Sequence, residues 1–168
     1  MRLHVITGGP GVGKTTLLQE LEKIGYPILP EVARDIIEEG KYHPSKDYKK
    51  FGKEVVRRQK ALERTVNGVT TFCDRSLVDA IAYKRIYNLD VDLSRILEAR
   101  NRYSRVFLLD SLPNYQKDDV RFESPEFAKR IHQEIERTYI SLGYNPIILP
   151  PVSVDERVSL ILREIEST

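Results

Sequence analysis

Apolar residues along this chain alternate between two rhythms. Short, largely apolar runs lie at 3–7 (Leu-His-Val-Ile-Thr), 27–30 (Pro-Ile-Leu-Pro), 69–74 (Val-Thr-Thr-Phe-Cys-Asp), 105–110 (Arg-Val-Phe-Leu-Leu-Asp) and 146–149 (Pro-Ile-Ile-Leu). Runs of this kind suit strands covered on both faces, as in a parallel sheet. Between them the apolar positions recur at helical spacing. Leu17, Leu18 and Leu21 follow the first run, and Val32, Ile36 and Ile37 the second. Tyr48, Phe51, Val55, Gln59, Leu62 and Val66 mark a longer helix before the third. Leu77, Ile81 and 83–86, then Leu93, Ile96 and Leu97, come after it. Phe127, Ile131, Ile135 and Tyr139 form a stripe opened by Ser124-Pro125-Glu126, a capping hydroxyl followed by proline at the first helical position, and Gly143 is placed to end it. Ser153 and Glu156 have capping-box spacing for a last helix bearing Val158, Ile161, Leu162 and Ile165.

Strand–helix alternation predicts an α/β fold of three layers: a five-stranded parallel sheet, right-handed crossovers and helices on both faces. In such sheets ligands bind beyond the carboxyl ends of the strands. One motif sits at such an end with every fixed position present. Residues 8–15 read Gly8-Gly9-Pro10-Gly11-Val12-Gly13-Lys14-Thr15, the G-x-x-x-x-G-K-[ST] phosphate loop, directly after a strand and opening a helix; Thr16 follows. Glycines let backbone N–H groups turn inward as an anion nest, and the helix start adds free N–H groups and the positive end of its dipole. Lys14 is placed to reach the β- and γ-phosphates, and the Thr15 hydroxyl is a hard oxygen suited to Mg²⁺. The expected ligand is a nucleoside triphosphate, ATP or GTP, with Mg²⁺.

Other candidates follow from position. Asp74 ends the third strand, where its carboxylate serves either as a Mg²⁺ ligand, direct or through water, or as the N-cap of the next helix. Arg75 lies beside a transferring phosphate or pairs with Glu31. Glu31 and Arg34 follow the second strand at i, i+3 spacing. Glu31 can take a proton from an attacking hydroxyl while Arg34 holds an anionic substrate or orients the base; the plainer reading is a surface ion pair. After Asp110 the stretch 111–123 is polar and aperiodic, and carries Lys117 and Arg121. It reads as a lid that brings a cation over the nucleotide, or else as a solvated loop.

Composition changes the picture little. The chain has 168 residues, 40% hydrophobic, enough for one domain with its own core. A formal net charge of +2 argues against a dedicated nucleic-acid or membrane-surface binder. Residues 41–64 carry nine Lys/Arg and three acids, a patch that an anionic partner could use but that more often is a solvated helix face. Cys73, the one cysteine, excludes an intramolecular disulfide and a cysteine-based zinc site, and is expected to be inert core. His4, His43 and His132 show no metal spacing. No apolar run approaches the ~20 residues of a membrane span and no signal-peptide pattern opens the chain, so a cytoplasmic protein without membrane contact is expected.

Taken together, Gly-Gly-Pro-Gly-Val-Gly-Lys-Thr-Thr at 8–16, Glu31-Val-Ala-Arg34-Asp35, Arg58-Gln59, Asp74-Arg75 with Asp79 and Tyr83, and Tyr139-Ile-Ser-Leu-Gly-Tyr144 resemble the small single-domain phosphate-loop ATPases of the AAA-domain group that includes nicotinamide-riboside-kinase-like proteins. The likeness covers nearly the whole chain. A looser likeness is to deoxynucleoside kinases, which place a Glu base after the second strand and an acidic-Arg-Ser triplet after the third. Glu31 and Asp74-Arg75-Ser76 match, with Asp in place of Glu and Val32 in place of a usual proline. The resemblance implies a kinase-like P-loop NTPase fold with strand order 2-3-1-4-5. The leading expectation is a kinase of a small-molecule phosphoryl acceptor, with Lys14, Arg75 and Arg121 spreading charge. Behind it stand a regulatory NTPase hydrolysing ATP or GTP and a nucleic-acid-associated ATPase. The N-K-x-D and T-K-x-D guanine-reading patterns are absent, which disfavours a switch GTPase.

Overall fold

The computed structural model describes residues 2–111 and 124–167. Five parallel strands, β1 (Leu3–Thr7), β2 (Ile28–Leu29), β3 (Thr71–Asp74), β4 (Arg105–Leu109) and β5 (Ile147–Leu149), form one sheet in the order β2-β3-β1-β4-β5. The strand order implied by the resemblance is therefore present. Every expected strand appears, β1 with the expected bounds and the other four trimmed by one or two residues. Val69 is half exposed and precedes β3, and Asp110 lies just beyond β4.

Six of the seven described helices connect the strands, α1 (Lys14–Lys23), α2 (Val32–Glu38), α3 (Tyr48–Glu63), α4 (Leu77–Ile86), α5 (Leu93–Ala99) and α6 (Pro125–Ser141), and α7 (Val154–Glu166) follows β5. Successive strand side chains point to opposite faces, so each strand feeds two cores. Leu3, Val5, Cys73, Val106 and Leu108 pack against α4 and α6; Ile6, Phe72, Phe107 and Leu109 pack against α1 and α7. Burial on both faces explains why the strands read as continuous apolar runs. A third cluster, Val32, Ile36 and Phe51, joins α2 to α3.

The caps read from sequence are in place. Ser124 Oγ accepts from Phe127 N–H, and Ser153 and Glu156 make the reciprocal capping box. Two readings shift. The α3 stripe stops at Glu63, leaving Val66 in the following turn. On α5, Leu93 and Leu97 face solvent while Ala99 is buried, because only one side of this short helix meets α4. No described helix is long and apolar enough to cross a membrane.

Candidate nucleotide and acceptor site

The site forms where β1, β2 and β3 end. Residues 8–13 wrap from β1 into α1, whose N-cap Gly13 makes no side-chain capping bond, so the helix's first N–H groups remain for an anion. The loop is tightly seated. A Cβ on Gly8, at φ 136°, would lie 2.8 Å from the Leu109 carbonyl, and one on Gly9 would lie 3.1 Å from Ala128 O and from His132 Cβ. The Gly9 N–H donates to His132 Nδ1 at 3.1 Å. His132, to which the sequence assigned nothing, thus braces the loop from α6. Burial holds its pKa below the usual imidazole value, which suits an acceptor nitrogen.

Lys14 is buried, and its ammonium donates to Gly9 O at 2.8 Å and Gly8 O at 3.2 Å. Burial and the neighbouring Arg75 lower its pKa to about 8, against the pull of Asp74, Glu31 and Asp79. Thr15 and Thr16 are exposed on the first turn of α1 and face the same cavity as Lys14; Pro10, Gly11 and Gly13 line it too, whereas Val12 is buried.

Asp74 is not the N-cap of α4. That role falls to Ser76, whose Oγ accepts from Val78 N–H at 3.0 Å. Asp74 is buried, and its Oδ1 has no hydrogen-bond partner among the described residues. Burial and the charge of Glu31 raise its pKa to about 6, against Lys14 and Arg75. An orphaned buried carboxylate oxygen in the same cavity as the Thr15 hydroxyl fits Mg²⁺, a hard cation that keeps waters and phosphate oxygens rather than an all-protein cage. No cluster of three His, Cys, Asp or Glu suited to a metal occurs among the described residues.

Glu31 and Arg34 do not pair among the described residues. Glu31 is the N-cap residue of α2, at ψ 101°, so helical i, i+3 geometry does not apply to it. Its carboxylate instead accepts from Arg75 Nε at 2.8 Å. Burial alone would raise the Glu31 pKa; the charges of Arg75 and Lys14 and the Arg75 hydrogen bond outweigh it, holding the carboxylate below its usual range. Arg34 is exposed at the cavity edge.

Arg75 is the hub. It adopts φ 67°, uncommon for a residue with a side chain, and reaches Glu31, Gly8 O at 3.2 Å and Asp79 at 3.6 Å, with Tyr83 stacked against its guanidinium at 5.4 Å. Asp79 is in turn held by Thr7 Oγ1, by Ser76 Oγ at 3.1 Å and by Tyr139 OH at 2.6 Å. That network ties the ends of β1 and β3 to α6 and holds Arg75 over the loop.

Pro10, Gly11, residues 13–16, Glu31, Asp74 and Arg75 open into one cavity of about 250 Å³. Beyond Glu31 and Arg75 its walls turn apolar and aromatic: Ile37, Tyr48, Phe51, Val55 and Tyr87, with Tyr48 and Tyr87 stacked at 4.2 Å. Arg121 and Lys117, with the expected lid from 112 onward, lie outside the described residues. The 41–64 patch is partly neutralised, since Lys50, Arg57, Arg58 and Lys60 each pair with a carboxylate. Cys73 is buried in β3, its thiol donating to His4 O, and burial pushes its pKa up, as expected of an inert core thiol.

A parallel 2-3-1-4-5 sheet with this loop between β1 and α1 defines a kinase-like P-loop fold. The AAA domain family model matches residues 3–157, and the chain belongs to that family. No curated protein matches the sequence significantly. Among solved structures, deoxyadenosine kinase from M. mycoides with products dCMP and a flexible dCDP bound shares the fold at TM-score 0.70 and 18% identity, over 99% of this chain and all of that one. NadR in complex with NR superposes at TM-score 0.75 and 19% identity, over 99% of this chain and 51% of that one, so the chain spans about half of NadR. Thymidylate kinase from Ehrlichia chaffeensis matches at TM-score 0.65 and 15% identity, over 98% of this chain and 97% of that one.

Burial of Asp74 carries a measurable consequence. Its folded pKa lies above the ordinary aspartate value of 3.8, so the ionised form destabilises the ligand-free protein above pH ~6, and that penalty disappears as pH falls toward 4. Asp74→Asn should therefore stabilise the ligand-free protein at pH 7 by about 1–3 kcal/mol, with the gain shrinking at pH 4.5. The same variant should lose the Mg²⁺-dependent part of ATP affinity and keep the metal-free part. Thermal unfolding at both pH values and calorimetric ATP titration with and without Mg²⁺ check this; a lower melting temperature at pH 7 would contradict it.

Proposed function

We propose that this protein is an ATP- and Mg²⁺-dependent phosphotransferase that phosphorylates a hydroxyl of a small, ring-bearing acceptor of nucleoside type. The observation that carries this reading is the shared cavity: the phosphate loop, the Glu31–Arg75 pair and an aromatic wall open into one space. A hydrolytic switch needs the loop and a water, not an apolar chamber beyond the γ-phosphate with a carboxylate at its threshold. Aromatic walls of this kind suit a planar ring. The ligands of the similar folds point the same way, dCMP with deoxyadenosine kinase and NR with NadR.

In this reading ATP lies with its phosphates on residues 8–16 and its γ-phosphate toward Arg75. The acceptor hydroxyl sits between Glu31 and the γ-phosphorus. Its oxygen attacks phosphorus, the bond to the β-bridging oxygen breaks, ADP leaves, and the hydroxyl proton passes to Glu31. Lys14 and Arg75 neutralise charge on the transferring group, and Arg34 and Arg121 add to it where they reach. Thr15 and Asp74 would hold Mg²⁺, which would supply further neutralisation of phosphate charge. ATP chemistry and a reduced Cys73 both suit a cytoplasmic location.

The test is acceptor dependence. Purified protein with MgATP is challenged with nucleosides, NR, nucleoside monophosphates and single-stranded RNA, and ADP is followed. Acceptor-dependent ADP with a new phosphoester in the ³¹P spectrum is the expected result for at least one nucleoside-type compound. ADP release that no small acceptor alters would make the protein a hydrolase, and stimulation by RNA alone would shift the reading to the 41–64 patch.

A further inference from the structure

Arg157, in the first turns of α7, is only 2% exposed and lines no part of the acceptor cavity. It forms no salt bridge among the described residues. Instead its guanidinium donates to three main-chain carbonyls from three segments: NH1 to Val12 O at 2.6 Å, Nε to Pro150 O at 2.8 Å, and NH2 to Asp110 O at 3.2 Å. A buried charge without a paired carboxylate is costly unless its donors are satisfied and an anion is near. Burial does weaken its hold on the proton, offset in part by Asp110.

We propose that Arg157 is a positioning residue for the donor nucleotide. It presets the phosphate loop for the triphosphate and locks that loop to the ends of β4 and β5. This rests on the nucleotide-binding half of the function proposed above and extends it to a residue outside the motif.

The first part follows from the peptide bond. A trans peptide is planar, so the Val12 carbonyl and the Gly13 N–H point in opposite directions. With Val12 O drawn to Arg157, the Gly13 N–H is turned away from α7, toward the side on which Gly11, Gly13 and Lys14 line the cavity. Gly11 and Gly13 flank Val12 at φ 76° and 91°, and glycines offer little resistance to a peptide flip. Convergent N–H dipoles repel one another until an anion arrives. A buried guanidinium on the carbonyl opposes that flip and meets the entropic cost of ordering the loop before ATP binds.

The second part follows from strand order. Acceptor-side groups come from β2 and β3, on one side of β1. Phosphates on the loop leave the β4–β5 side for the ribose and base of the donor. Asp110 and Pro150 stand at the carboxyl ends of those two strands. One guanidinium thus couples the phosphate seat to the floor under the rest of the nucleotide. Lysine cannot replace it, because a single ammonium cannot span three separate carbonyls in a fork.

The test compares wild type with Arg157→Lys and Arg157→Met, each checked by circular dichroism. Calorimetry with MgATP and with inorganic tripolyphosphate should show both ligands weakened about tenfold or more, as expected for lost charged hydrogen bonds. In turnover, KM for ATP should rise by a similar factor, while acceptor KM and kcat at saturating ATP stay within about twofold. Folded variants that bind both ligands like wild type overturn the proposal and leave the phosphotransferase reading standing. A wild type that binds neither ligand overturns both. If the variants fail to fold, wild-type protein labelled with ¹⁵N-arginine decides: Arg157 side-chain N–H exchange should slow further on adding tripolyphosphate. Exchange indifferent to the ligand marks a purely structural arginine and overturns the proposal.

Discussion

Lys14→Ala is expected to lower kcat by about 10²–10³-fold at saturating MgATP, with weaker ATP binding besides. In the ligand-free site the ammonium donates to the Gly8 and Gly9 carbonyls and is attracted by Asp74, Glu31 and Asp79, and Arg75 also reaches Gly8 O. In the proposed mechanism its main partners are phosphates that arrive with the substrate, and the contact strengthens as charge develops on the transferring group. A second signature comes from the pKa of about 8. Near pH 8.5 a large share of the ligand-free protein carries neutral Lys14, and binding a polyanion recharges it. Wild-type ATP binding at that pH should draw protons from buffer, seen as calorimetric heats that change with buffer ionisation enthalpy. The variant should show no such uptake. A variant that folds and turns over within tenfold of wild type would remove Lys14 from the mechanism.

Glu31→Gln should lower acceptor-dependent kcat by about 10²–10⁴-fold, the range for loss of a positioned general base. The amide keeps the shape and an oxygen for Arg75 Nε but cannot take the hydroxyl proton. Affinity for ATP should change little, since the proposed mechanism puts Glu31 on the acceptor side of the cavity. Because Arg75 and Lys14 hold Glu31 below the usual carboxylate range, it is ionised throughout the neutral region. Wild-type activity should thus show no Glu31-dependent rise between pH 6 and 8. If Glu31→Gln instead raises KM for ATP and leaves kcat intact, the residue serves only to tether Arg75.

The contrast between Glu31 and Thr15 shows where sequence suffices. The phosphate loop is one contiguous segment, and its glycines, its lysine and the helix that follows dictate its local backbone. The strands were legible because burial on both faces demands unbroken apolar runs, and the Ser124 and Ser153 caps because a hydroxyl bonds an N–H only two or three residues away. The Glu31–Arg75 pair was legible only in its membership. Spacing suggested Glu31 with Arg34 and left Arg75 as an alternative partner; the structure takes Arg75, 44 residues away, because Glu31 caps α2 rather than sitting within it. His132 and Arg157 gave no sequence signal: one meets Gly9 across 123 residues and the other meets Val12 across 145. An arginine on a helix reads as a surface cation until its neighbours are known.

By itself, then, the sequence determined the order of strands and helices, the phosphate loop and the carboxylate at the end of β3. These depend on periodicity and on interactions within a few residues of backbone. Only the tertiary structure decided that the Asp74 carboxylate is desolvated and orphaned, that Arg75 rather than Arg34 holds Glu31, and that Arg157 and His132 brace the loop. Desolvation and charge pairing are properties of a place in space, set by what distant segments bring there, and no spacing along the chain encodes them.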